Sequence, residues 1–308
     1  MSHLEQLDLG WGLEALSQRQ RISLGRANHL RNLAPLAALN ALVSLDVCGN
    51  DLDSLEGLSG KASLAFLLLD ENAGLLDAAN GHCADNLTIM GSLAGVSGLL
   101  AQETGLSEEG LGALLLGAGA PRFPALVGIA LSGNPGITTL DALAAYPGVQ
   151  LVGCGDNPGL TSIAGLSGNT GLRVVWLVNT AVTDLGPLAD NDLHNALITI
   201  RNNTALNNKA ETESSVCDEV GVLEQEPSNF VDRDFACGSE VLLTLSVSPE
   251  GAGSTDPPAG TYVVAPGTTG FVAAVQTNPD YSFSHWSGDA FGVNPETLLL
   301  MNRNRNVV

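Results

Sequence analysis

Aromatic residues make up only 4% of the 308-residue chain, so the core that its 44% hydrophobic content allows has to be aliphatic. Basic residues are equally sparse: 12 Lys and Arg stand against 33 Asp and Glu, for a net charge of −21. Such a chain repels phosphate backbones and anionic membrane surfaces, which argues against nucleic acid and lipid as partners. The plainest use of the charge is solubility, and a basic or cation-bridged partner stays open. No apolar run approaches the ~18 residues of a membrane-spanning helix. The cysteines are odd in number (Cys48, Cys83, Cys154, Cys217, Cys237) and show neither CxxC nor zinc-finger spacing. His3, His29, His82, His194 and His285 lie far apart and form no metal motif. Gly57-Leu-Ser-Gly and Gly165-Leu-Ser-Gly stop short of a nucleophile elbow, and no phosphate-binding loop occurs. His82 adjoins Cys83, but neighbours in sequence rarely have attack geometry. The sequence therefore predicts no catalytic residue, no metal and no cofactor.

What is abundant is glycine, 36 residues, and leucine at a fixed rhythm. The unit L-x-x-L-x-L-x-x-N recurs at Leu42-Leu45-Val47-Asn50, Leu64-Leu67-Leu69-Asn72, Leu126-Ile129-Leu131-Asn134 and Val149-Val152-Cys154-Asn157. It returns at Leu172-Val175-Leu177-Thr180 and Ile198-Ile200-Asn203, with a weaker copy at Ile22-Leu24-Ala27. The slot residues 27, 50, 72, 134, 157, 180 and 203 are 23, 22, 62, 23, 23 and 23 apart. In L-x-L the alternate side chains of a short strand point inward. One repeat cannot bury its apolar side alone, so neighbours must stack. Asn50, Asn72, Asn134, Asn157, Thr180 and Asn203 are expected to turn the chain and satisfy buried backbone groups. The Ala-Gly or Pro-Gly pairs after Asn72, Asn134 and Asn157 are expected to supply positive φ there. Cys154 takes an inward position, and Cys48 an outward one with no basic neighbour to activate it.

These residues resemble the leucine-rich-repeat family over about residues 20–206. The L-x-x-L-x-x-L continuations, such as Leu30-Leu33-Leu36-Leu39 and Val182-Leu185-Leu188, look most like internalins and other bacterial subtypes. The resemblance implies an α/β leucine-rich-repeat solenoid, with parallel strands on the concave face and short helices and turns on the convex face. The 62-residue gap fits neither two nor three units well. An irregular helical insert is expected near 76–125, with Ser107 as an N-cap and helical spacing at Leu93, Val96, Leu99 and Leu100. Leu4-Leu7-Leu9 reads as a truncated strand unit.

After Leu206 the rhythm stops. Residues 207–240 are polar and acidic and read as a C-terminal cap or a linker. Val220, Val222, Leu223, Phe230 and Phe235 could cover the last repeat, clamped by a possible Cys217–Cys237 disulfide worth about 3 kcal/mol in an oxidising compartment. From Val241 short alternating strands between Gly and Pro turns predict a small all-β module over 241–308. Ser248-Pro249-Glu-Gly, Gly260-Thr-Tyr262, Pro279-Asp-Tyr281-Ser-Phe283 and above all His285-Trp286-Ser-Gly-Asp289 make it similar to a divergent internalin B-repeat. That resemblance implies a β-grasp-like spacer, truncated at Val308. Trp286 either stacks on a sugar or, the reading given more weight, fills a small core with Tyr281 and Phe283.

Solenoids bind on the strand face. Its outward positions by alternation include Arg26, Asp70, Glu71, Asp156, Trp176, Val178, Arg201 and Asn202, with a small and smooth middle. Trp and Arg are frequent hot-spot residues. The expectation is a monomeric, non-enzymatic recognition or adhesion protein of the bacterial surface that binds a protein or a glycan. A structural spacer, or the targeting region of a larger secreted enzyme, are the alternatives. The opening residues have neither a basic n-region nor an apolar h-region, so an extracellular location implies a leader outside this chain.

Overall fold

The computed structural model describes residues 21–24, 28–212, 215–226, 228–237, 240–301 and 303–308. Arg26, the slot Ala27 and the Leu4-Leu7-Leu9 unit lie outside the described residues. The chain divides into two compact units, Met1–Leu206 with Asp218–Val231, and Asn207–Cys217 with Asp232–Val308.

The first unit is a leucine-rich-repeat solenoid. Its strands are β1 (Arg21–Ser23), β2 (Ser44–Asp46), β3 (Phe66–Leu68), β4 (Gly98–Leu100), the small hairpin β5 (Leu116–Gly117) and β6 (Ala120–Pro121), β7 (Gly128–Ala130), β8 (Leu151–Gly153), β9 (Val174–Trp176), β10 (Leu197–Thr199) and β11 (Phe230–Asp232). All but the hairpin join one nine-stranded sheet in chain order. From β1 to β10 every pairing is parallel and in one register, Ile22↔Leu45↔Leu67↔Leu99↔Ile129↔Val152↔Val175↔Ile198. These central residues, and Val47, Leu69, Ala101, Leu131, Cys154, Leu177 and Ile200 two positions on, are buried. A fully buried leucine or valine contributes roughly 1.5–3 kcal/mol, so the ladder is the main stabilising element.

The other side of each repeat is a tight turn rather than a long helix. Short 3-10 turns run over Ala34–Leu36, Asp141–Ala145 and Ala164–Leu166. The L-x-x-L pairs Leu33/Leu36, Leu55/Leu58, Leu140/Leu143, Ile163/Leu166 and Leu185/Leu188 are buried. The two Gly-Leu-Ser-Gly sequences owe their first glycine to this packing. A Cβ on Gly57 would lie 2.1 Å from the Leu33 carbonyl oxygen, and one on Gly165 would lie 1.9 Å from that of Leu140. Each turn therefore sits directly on the backbone of the turn before it.

The 62-residue gap is two long repeats. Strand β4 lies between β3 and β7, and the steps Leu67→Leu99→Ile129 are 32 and 30 residues. The additional length is taken up by helices Cys83–Gly91 and Glu108–Leu115 and by the β5–β6 hairpin. Ser107 caps the second helix, its side chain accepting from the Gly110 N–H at 3.2 Å. The helical reading of Leu93, Val96, Leu99 and Leu100 is corrected. Leu99 is the central residue of a strand, and Thr104 fills the slot that the sequence pattern had left empty. Helical and strand spacings are hard to separate in so short an apolar run. The Glu108 carboxylate ties this long repeat to the next, accepting from the N–H groups of Thr138 at 3.0 Å and Thr139 at 2.8 Å.

The second unit carries a small all-β module of two three-stranded sheets. One has the order β14 (Gly260–Val264), β12 (Val241–Leu245), β17 (Arg305–Val307). The other runs β13 (Ser254–Asp256), β15 (Thr269–Val275), β16 (Glu296–Leu300). Val241, Leu243, Leu245, Val272, Trp286, Ala290, Leu299, Met301 and Val307 form its core. Three residues of the Trp-Ser-Gly-Asp run have a distinct structural role. Trp286 is buried and donates from Nε1 to the Asn294 carbonyl at 2.8 Å. Gly288 has φ +78°, and a Cβ there would meet the Asn306 oxygen at 2.4 Å. Asp289 accepts from the Asn306 N–H at 2.8 Å and from Arg303 at 2.6 Å. The run thus pins strand β17 to the core. In the same unit Cys217 and Cys237 form a disulfide, with their Cα atoms 5.4 Å apart. Beside it buried Arg233 pairs with Glu240 at 2.9 Å.

Candidate partner-binding face

Two sets of residues meet at the end of each solenoid strand: one closes the repeat and the other faces solvent. The closing set is the slot ladder. Asn134 is fully buried. Its Oδ1 accepts from the N–H groups of Thr104 at 3.1 Å and Leu106 at 3.0 Å. Its Nδ2 donates to the carbonyls of Ala101 at 2.8 Å and Leu131 at 2.9 Å. Asn157 continues the ladder, accepting from the Asn134 N–H at 2.7 Å and donating to Cys154 O and Leu131 O. Asn50 and Asn72 bind the chain in the same way, through Leu30 N and Leu52 N on one side and Val47 O on the other. Thr180 cannot reach as far. It takes one hydrogen bond from its hydroxyl to Asn203 Oδ1 at 2.8 Å, and Asn203 supplies the rest.

The residue before each slot carries the bend. Gly49, Glu71, Glu103, Gly133, Asp156, Asn179 and Asn202 all have φ between 54° and 70°. The expectation that the Pro-Gly pairs supply positive φ is therefore corrected for Asn134 and Asn157, where the left-handed residues are Gly133 and Asp156. Gly136 and Gly159 serve close approach instead: a Cβ on either would lie 3.1 Å from the turn of the preceding repeat.

The solvent face has four rows, and sequence alternation found three of them. Missed was the row just before the central leucine: Ser44, Phe66, Gly98, Gly128, Leu151, Val174 and Leu197. The register sets Leu151, Val174 and Leu197 side by side across β8, β9 and β10. Leu151 is 40% exposed, Leu197 41% and Trp176, one row on, 45%. The Trp176 ring lies over Gly155 of the neighbouring repeat, where a Cβ would come within 2.8 Å of the indole. Phe66 covers Gly98 in the same way at 2.8 Å. The face is thus not smooth throughout. Its C-terminal half carries a continuous apolar patch of Leu151, Val174, Trp176 and Leu197, bordered by half-buried Val178 and Arg201 and by exposed Asp156 and Asn202.

Asp70 and Glu71 stand apart from this patch, four strand steps from β9 and so roughly 19 Å away. Glu71 is exposed, but Asp70 is buried and its carboxylate accepts from the Gln102 backbone N–H at 2.9 Å and side chain at 3.0 Å. Asp70 joins two strands rather than presenting a charge to a partner, because neither of its oxygens faces outward unbonded.

The thiols offer no chemistry. Burial, followed by the hydrogen bond and charge of Asp46 and the charge of Asp70, pushes Cys48 up to about 12. Burial alone raises Cys154 to about 12. Cys83 is raised by burial and by Asp77, and its Sγ is turned to the Leu76 carbonyl at 3.4 Å. Among the described residues no three His, Cys, Asp or Glu side chains are placed to hold a metal, and no helix is long and apolar enough to cross a membrane.

A leucine-rich-repeat solenoid with an exposed apolar patch on its strand face is the class of protein these observations define. Among solved structures the chain is similar to internalin C2 of Listeria monocytogenes, with a TM-score of 0.54 at 18% identity over 70% of this chain and 80% of that one. An internalin F structure from the same organism aligns at 0.44 and 17% identity, covering 68% of this chain and 66% of that one. A leucine-rich-repeat protein of Leptospira interrogans aligns at 0.40 and 17%, covering 68% and 59%. The first likeness confirms an internalin-like repeat fold. No family model and no curated protein matches the sequence.

Proposed function

We propose that the chain is a non-enzymatic recognition protein of the bacterial surface that binds a protein partner through the strand face of its solenoid, at Leu151, Val174, Trp176 and Leu197. The observation that carries this reading is the patch itself. Three large apolar side chains are 40–45% exposed on adjacent strands of one rigid sheet. A contiguous exposed apolar patch, rimmed by polar groups, is a feature of interaction sites. Trp176 is its anchor and Arg201, Asn202 and Asp156 its polar rim. In this reading residues 1–206 are the recognition solenoid, 207–240 a cap stapled by the disulfide, and 241–308 the module that holds the solenoid away from the envelope. The disulfide fits an extracellular setting, since such bonds persist in oxidising compartments.

The test is binding of the purified chain to matrix proteins, intact cells and a glycan array, beside Trp176→Ala and Leu197→Ala. The expected result is saturable protein binding that weakens at least ~20-fold in Trp176→Ala, the scale of a hot-spot side chain, with thermal unfolding unchanged. A well-folded chain that binds nothing supports the spacer reading instead, and unaltered binding in both variants removes the patch from the site.

A further inference from the structure

The all-β module contains a cleft of about 640 Å³ between the ends of its two sheets, bounded by the turn after β12, strand β13, the end of β15 and the 281–287 segment. That size lies within the ~300–1,000 Å³ of small-ligand sites. Three features of its wall point to one ligand class. First, the lining carries no Asp, Glu, Lys or Arg, although the chain has a net charge of −21. Serines, Gln276 and the His285 imidazole stand in their place, so among the described residues no permanently charged side chain faces the cleft to balance an ion. Second, an aromatic surface is present. Tyr281 is 45% exposed, and half-buried Phe283 is braced by the Trp286 ring, their centroids 5.1 Å apart. Third, Thr255 on β13 is 5% exposed, lines the cleft, and its Oγ1 has no hydrogen-bond partner among the described residues. A buried hydroxyl without a partner is costly, and valine would fill the same volume without that cost. Gln276 and His285 add further polar groups at the wall, Gln276 fixed by its bond to Tyr281 O at 2.8 Å and His285 by its contact with Ser284 Oγ at 3.0 Å.

We propose that this cleft binds a neutral saccharide, with the apolar face of a sugar ring on Tyr281 and Phe283 and a sugar hydroxyl on Thr255 Oγ1. Aromatic surface meets the C–H face of the ring, and the serine, threonine and amide groups exchange hydrogen bonds with its hydroxyls. Trp286 has no part in the contact; it is the buried support. The module is then a second recognition site, independent of the solenoid patch.

The test is isothermal titration of the full chain with cellotriose, maltotriose and N,N′,N″-triacetylchitotriose, and with a decaproline peptide as the competing chemistry. At least one trisaccharide is expected to bind at one site per chain. Tyr281→Ala and Thr255→Val should each weaken it about tenfold or more. Thr255→Val should unfold at the same temperature as the parent or higher, since it removes an unpaired buried hydroxyl, so lost binding cannot be put down to lost folding. Absence of binding by all three sugars overturns the proposal. So does sugar binding that both variants leave unchanged, and so does a cleft that takes decaproline in preference.

Discussion

Replacing Asn134 with leucine should unfold the middle of the solenoid while leaving its exposed surface chemically unaltered. The two side chains are close in size, so the perturbation is loss of polarity at a fully buried position. Asn134 serves four backbone groups: the N–H groups of Thr104 and Leu106 and the carbonyls of Ala101 and Leu131. When apolar atoms take the place of the amide the two carbonyls keep one partner each, Thr104 Oγ1 for Ala101 and Asn157 Nδ2 for Leu131, but the two N–H groups are left with none. Each orphaned N–H costs about 1–3 kcal/mol, so the pair costs about 2–6 kcal/mol before relaxation. Neighbouring terms are not additive, and the weakened carbonyls add a little to the loss, so the middle of that range is the expected value, about 4 kcal/mol. That is a large share of the ~5–15 kcal/mol by which a domain is stable. The assay is urea unfolding followed by far-ultraviolet circular dichroism. Thr180→Val is the internal standard, because it removes a hydroxyl that makes one good bond, 2.8 Å to Asn203 Oδ1. It should cost about 1 kcal/mol. Equal midpoints for Asn134→Leu and the parent would refute the reasoning, and so would Asn134→Leu no worse than Thr180→Val.

Four further outcomes are expected. Gly165→Ala pushes a methyl group to within 1.9 Å of a backbone oxygen and should destabilise the solenoid by about 3 kcal/mol or more. Gly112→Ala, in a helix with nothing within 4 Å, should stabilise it by about 0.5–1 kcal/mol; differential scanning calorimetry separates the two signs. Cys217→Ser/Cys237→Ser, or reduction of the parent, should cost about 3 kcal/mol for a loop of this length. The check is a lower unfolding midpoint for the C-terminal unit under dithiothreitol and no change in the double variant. Glu240 is held below the usual carboxylate range: burial opposes its charge, but Arg233 and the Cys237 N–H outweigh burial. A lowered folded pKa means stability that is present above the unfolded value of ~4.3 and is lost as pH falls. Glu240→Gln should therefore be less stable than the parent at pH 7 and converge on it below about pH 4, as read by urea midpoints across that range.

What could be read from the sequence was the part of the fold that repeats. Leu45, Leu67, Ile129, Val152, Val175 and Ile198 are legible because stacking forces one residue type into one position every 22 or 23 residues. The long repeats were illegible for the complementary reason. In 73–125 the extra residues form helices whose own periodicity hides the strand leucine Leu99, and a threonine at 104 stands where asparagine is the marker. Lys61 was missed as well. It is 1% exposed, and its Nζ donates to the carbonyls of Ala37 at 3.2 Å and Leu39 at 3.1 Å, a turn position taken by apolar or amide residues in other repeats. On the exposed face the sequence identified Trp176 but not Leu151 or Leu197. The signal that finds them is alternation on both sides of the central leucine, since the residue before it points outward as surely as the residue after it.

The buried positions that hold the solenoid together are distinct from the apolar patch, and only the rim residues Asp156 and Asn202 also carry a bend. Slot asparagines and inward leucines are buried, the first glycine of each Gly-Leu-Ser-Gly turn lies against the backbone of the turn before it, and these identities follow from backbone geometry that the repeats share. The rows before and after the central leucine are bound by no such rule, and there the side chains range from Gly98 and Gly128 to Phe66 and Trp176. Glycine in those rows also has a specific use. Gly155 leaves the backbone bare, so that the Trp176 indole lies across it, fixed in orientation yet 45% exposed. An alanine at 155 would drive a methyl group into the indole, 2.8 Å from two of its atoms, and bring it within 3.1 Å of the Val178 carbonyl oxygen, so the ring lifts while the backbone beneath shifts by a few tenths of an ångström. Gly155→Ala should therefore lower the unfolding temperature only slightly, shift the tryptophan emission, and weaken partner binding as Trp176→Ala does. If Gly155→Ala moved the emission and left binding intact, Trp176 would be an exposed side chain and not an anchor.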